Sequence, residues 1–124
     1  MFVGVLRFSL DVPGSRSLKD KRSVVRSAKE RIQGRLKVSI AEIGVLDDPR
    51  RATLGVAVVS NSSTVCDQVL SNVMSIASTL PDAVLTDRAT EIVSFGDGGR
   101  GIQGGIEQMF DSLSRDDFDD EDGG

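Results

Sequence analysis

The stretch Lys37–Ser60, KVSIAEIGVLDDPRRATLGVAVVS, decides the fold. Its opening run, Lys37–Leu46, is Val, Ile and small residues interrupted only by Glu42, which is the composition of a strand. Asp47-Asp48-Pro49 stops that run. Arg51–Ser60 then alternates, with Ala52, Leu54, Val56 and Val58 set against Thr53, Gly55, Ala57 and Val59. The link between the runs is too short for a crossover, so they are expected to pair as antiparallel neighbours.

Working outward, a strand and a helix precede this pair. Phe2, Gly4, Leu6, Phe8, Leu10 and Val12 fall on one side of an alternating segment; Val3, Val5, Arg7, Ser9 and Asp11 fall on the other. Pro13-Gly14 ends it. Ser17 and Asp20 have the spacing of a capping box, the acid replacing the usual Glu. After them Leu18, Val24, Val25, Ala28, Ile32 and Leu36 share one helical arc, with Gly34 weakening the last turn.

A helix and a strand follow the central pair. Asn61-Ser62-Ser63 is a helix-start cluster, and Val65, Val69, Val73, Ile76 and Leu80 make a stripe down the helix until Pro81 stops it. Ala83–Phe95 is extended, with Asp87 and Arg88 interrupting its apolar pattern. The order βαββαβ predicts an α+β, ferredoxin-like fold: a four-stranded antiparallel sheet with two helices on one face. Residues 1–95 form this domain, 96–110 a glycine-rich linker with a short amphipathic segment, and 111–124 a disordered acidic tail.

Composition excludes several function classes. The 124 residues hold one cysteine, Cys66, and no His, Trp or Tyr. Histidine-dependent Ser or Cys catalysis, histidine metal sites and most aromatic stacking on single strands are thereby removed. No apolar run reaches the ~18 residues of a membrane span, and the start reads as a strand rather than a signal peptide. A cytoplasmic protein with no internal disulfide, no membrane contact and no cofactor is expected. Cys66, in the first turn of the second helix, reads as a small buried side chain.

Charge is unevenly divided. Residues 1–51 carry twelve basic and six acidic side chains, whereas residues 52–124 carry three basic and thirteen acidic. Seven of those acids fall in residues 111–124 against Arg115 alone, so the low overall pI says little about the folded part. Lys19, Arg22, Arg26 and Lys29 project within about 80° of each other, beside the apolar arc. Arg16 precedes the helix, and Arg35 and Lys37 follow it. Such a ridge suits phosphate contact without base readout.

Two charges fall among apolar neighbours. Lys21 projects into the helix arc, where a lysine in a first turn is expected to snorkel outward and join the basic set. Glu42 stands alone on its strand, without a second carboxylate at catalytic spacing, and is expected to pair with a basic residue of an adjacent element. The glycines from Gly96 to Gly105 lack G-K-[ST] and the strand–GxGxxG–helix context, so they read as a hinge rather than a phosphate loop.

Gly4, the block Ser17-Leu18-Lys19-Asp20-Lys21-Arg22-Ser23-Val24, the block Val38-Ser39-Ile40-Ala41-Glu42 and the run Ala52–Asn61 together resemble the YlxP-like family of small bacterial proteins of unknown function. The resemblance covers residues 1–95 and implies a ferredoxin-like fold. Genes of the family often neighbour those for translation initiation and small-subunit maturation, which implies a link to the ribosome and no established activity. By matching position it draws attention to Ser17, Lys19, Asp20, Lys21, Arg22, Ser39 and Glu42. The chain departs from the pattern at Leu36-Lys37, where the family tends to have Phe-Asn, and in its extension after residue 95.

The expectation is a non-catalytic factor that binds ribosomal RNA or the small ribosomal subunit through Arg16, Lys19, Lys21, Arg22, Arg26, Lys29, Arg35 and Lys37. The alternative is a protein-interaction module using the sheet or the C-terminal extension, with a partner docking on Ile102–Leu113. A homodimer would cover the sheet's free face or edge. An acylphosphatase-like enzyme fits the topology, but the first strand and loop lack the required Arg-and-Asn arrangement.

Overall fold

The computed structural model describes residues 1–96. Its elements are β1 (Phe2–Asp11), α1 (Leu18–Gln33), β2 (Ser39–Gly44), β3 (Arg51–Ser60), α2 (Ser63–Ala77) and β4 (Val84–Ser94). The linker residues beyond Gly96, the segment Ile102–Leu113 and the acidic run 111–124 lie outside the described residues.

The sheet order is β2-β3-β1-β4, with each neighbouring pair antiparallel. This is the ferredoxin-like arrangement: β1 and β3 are central, and each βαβ crossover skips one strand. β1 pairs with β3 along its whole length, from Phe2↔Ser60 to Asp11↔Arg51. Because side chains alternate across a sheet, that register puts Leu6, Phe8 and Leu10 beside Val56, Leu54 and Ala52 on one face. α1 covers the β2–β3 side of this face and α2 the β1–β4 side. Phe8, Leu10, Ala28, Ile32, Leu54 and Val73 are fully buried between the layers.

The elements differ in detail from their sequence reading. β2 is confined to Ser39–Gly44, shorter than the run Lys37–Leu46, because Val45 takes a positive φ of 48° and turns the chain. The interruption at Asp87 and Arg88 does not break β4. Ser9 pairs with Asp87 and Leu10 with Leu85, so Thr86 is taken up in a bulge.

α2 presents a different face from the expected stripe. Cys66, Leu70, Val73, Met74 and Ala77 are buried, Val69 and Ile76 are half-buried, and Val65 is exposed. Gly4 accounts for the rotation. A Cβ there would stand 3.0 Å from Leu70 Cδ1 and 3.2 Å from Cys66 Cβ, so its missing side chain admits both residues. Cys66 is buried, as its small apolar side chain suggests.

Candidate nucleic-acid interface

The site is built on α1, beginning at its first turn. Ser17 is the N-cap, its Oγ accepting from the Asp20 N–H at 3.1 Å. Asp20 Oδ2 accepts in return from the Arg16 N–H at 2.9 Å, one residue earlier than a standard capping box. These bonds fix the helix start and so the direction of every side chain after it.

Lys21 does not snorkel. Its side chain is 1% exposed, and Nζ donates to the carbonyls of Val45 (2.9 Å), Leu46 (3.1 Å) and Arg51 (3.2 Å). Glu42 Oε2 stands 2.9 Å from the same nitrogen. An ammonium has three hydrogens, and the three carbonyls take them. Glu42 therefore supplies charge compensation without a hydrogen aimed at its Oε2. The pairing expected of Glu42 exists, and it removes Lys21 from the phosphate-binding set. Burial of this ammonium costs desolvation, which the three carbonyls and the Glu42 carboxylate offset by replacing its lost hydration and charge.

The remaining basic residues stay outside. Arg16, Lys19, Arg22, Arg26, Arg35 and Lys37 are exposed and Lys29 is half-buried. None of their side chains forms an ion pair among the described residues, where the pairs are Arg7–Asp87, Lys21–Glu42 and Arg51–Asp11. Lys19 and Lys29 lie ten positions apart, which spans about 15 Å of helix. Lys19 and Arg22 also occupy the positive end of the helix dipole, where cations are disfavoured and anions welcome.

The ridge faces one particular side of the molecule. Gln33 projects in the same direction, and its Nε2 donates to the Val38 carbonyl (3.2 Å) just before β2. Val24, on the opposite flank of α1, lines a hollow with Pro13, Pro81 and Val84. The cations thus flank the free edge of β2 and point away from α2. Ser39 lies apart from them, exposed on the uncovered face of the sheet. Arg35 and Lys37 stand beyond the helix C-terminus, at the far end from Arg16.

A family model described as "Protein of unknown function (DUF503)" matches residues 3–90. The chain belongs to the DUF503 family. The matched span contains the capping residues, the Lys21–Glu42 pair and the whole ridge. Over 75 residues the chain is 36% identical to the uncharacterized protein YlxP of Bacillus subtilis (strain 168), covering 60% of this chain and 82% of that protein. The resemblance to YlxP-like proteins is therefore real.

Among solved structures, the de novo designed protein Foldit4 is similar with a TM-score of 0.46 and 6% identity, over 76% of this chain and 98% of that one. A de novo designed protein with ferredoxin fold, LFR1, has a TM-score of 0.44 and 12% identity, over 78% and 89% respectively.

Of the motif residues, Ser17, Asp20, Lys21 and Glu42 fasten α1 and the β2–β3 loop, while Lys19, Arg22 and Ser39 are exposed. The sequence carried a signal for the fastening: a cation on an apolar helix arc and a lone carboxylate on an apolar strand are two misfits that satisfy each other. Among the described residues, no three His, Cys, Asp or Glu side chains gather as a metal site would require. No described helix is long and apolar enough to cross a membrane.

Proposed function

We propose that this protein is a non-catalytic, cytoplasmic factor that binds phosphates of ribosomal RNA on the small subunit through the basic ridge of α1. One observation carries the reading. Lys19, Arg22, Arg26 and Lys29 line one flank of a single helix with no anionic partner among the described residues. Like charges at these spacings repel, so the ridge costs stability until a polyanion neutralises it. β3, Arg51–Ser60, carries no aromatic side chain for base stacking. Recognition would rest on backbone charge and shape, with little sequence preference and a steep dependence on salt.

The test is binding of the full chain to purified small ribosomal subunits across a salt series, beside a Lys19/Arg22/Arg26/Lys29→Ala variant. Saturable binding that weakens steeply with salt and disappears in the variant supports the reading. Equal binding by both proteins overturns the ridge as the contact surface, and no binding by either overturns the ribosomal target. The apolar open face of the sheet favours a second reading, a protein-interaction module. Its complex would survive nuclease and respond only mildly to salt.

A further inference from the structure

Both helices lie on one face of the sheet, and the other has no cover among the described residues. On that open face Val5 is 39%, Ile43 53%, Val59 62% and Val93 38% exposed. Small residues at its middle, Ala41, Gly55, Ala57 and Ala89, leave a hollow of about 510 Å³. We propose that a second copy of this chain covers this face, making the protein a homodimer packed sheet against sheet.

Area supports that occupant. Four strands ~4.8 Å apart and up to ten residues long, at ~3.3 Å each, give a face of roughly 600 Å² in projection. That whole face, polar residues included, approaches the ~800 Å² per partner of a stable interface. The distribution of charge supports it too. The exposed apolar residues of the face are interspersed with charges of both signs. Arg7 and Glu91 line the hollow itself, Glu91 opposite Val5, while Asp11, Arg51 and Asp87 lie toward one end, with Arg7–Asp87 (3.9 Å) and Arg51–Asp11 (3.8 Å) as ion pairs. A face that carries both signs of charge among apolar residues is self-complementary, because a twofold axis can set Arg7 of one copy against Glu91 of the other. The arrangement leaves α1 on the outside of each copy, so the dimer displays two basic ridges.

Sedimentation equilibrium of the full chain at micromolar concentrations tests the proposal. The expected mass is twice the chain's 13.2 kDa. Val5→Glu and Ala57→Glu, each placing a carboxylate on the open face, should each weaken dimerisation about tenfold or more. Val65→Glu, on the exposed side of α2, and the four-alanine ridge variant should both remain dimeric. Circular dichroism of each variant establishes that it is folded. A monomeric wild type overturns the proposal. A dimer that survives both open-face substitutions also overturns it, and places the contact at a strand edge or in the helix layer.

Discussion

Lys21 ties α1 to the β2–β3 loop and to the start of β3 through three carbonyl bonds and Glu42. Its position on an apolar arc is visible in the chain, but its partners lie 24, 25 and 30 positions away, in the β2–β3 loop and at the start of β3. Lys21→Met would leave three carbonyls and the largely buried Glu42 without their cation. The expected cost is about 3–5 kcal/mol, the range for breaking one side of a buried pair, read as a lower urea midpoint. Glu42→Gln should cost less, because the three carbonyl bonds remain. Ser17→Ala, which removes only the cap, should cost about 1 kcal/mol. The Lys21 variant, where still folded, should keep the salt dependence of polyanion binding, since its ammonium never reaches the surface.

Two elements carry consequences of their own. In α1, replacing Lys19, Arg22, Arg26 and Lys29 by Ala removes several like-charge contacts of about 0.2–0.5 kcal/mol each and raises helix propensity slightly. The variant should unfold at the same or a higher temperature while losing polyanion binding. A ridge that served stability would do the reverse. In β1, Gly4→Ala places a Cβ 3.0 Å from Leu70 Cδ1 and 3.2 Å from both Cys66 Cβ and Val58 Cγ1, in a closely packed layer. Overpacking of this kind costs about 1–3 kcal/mol, measurable by thermal unfolding. The same close contact explains why the stripe through Val65 misled. Period alone marks α2 as a helix with apolar residues on more than one side, and only the pit at Gly4 selects the side that packs.

For the molecule as a whole, charge separation governs behaviour. Residues 1–96 hold thirteen basic and ten acidic side chains, so the folded part is positive within a chain of net charge −4. If the four ridge cations each meet a phosphate, log K against log salt should slope at roughly −3 to −4, flattening toward zero in the four-alanine variant. Fluorescence anisotropy with a labelled RNA duplex at several salt concentrations measures this directly. A slope that persists in the variant would move the contact to Arg50, Arg51 or another part of the basic half.

The sequence by itself determined the order βαββαβ, the buried faces of β1 and β3, the cap at Ser17 and the existence of the basic ridge. Each is a local pattern, carried by period, capping chemistry or charge within a few turns or strand residues. Tertiary structure alone decided that Lys21 is caged rather than solvated, that α2 turns Cys66 and Leu70 toward Gly4, and that the ridge flanks the edge of β2. It also decided that Val5, Ile43, Val59 and Val93 share one uncovered face. These depend on contacts between residues far apart in the chain, whose energies exist only once the layers have closed on each other.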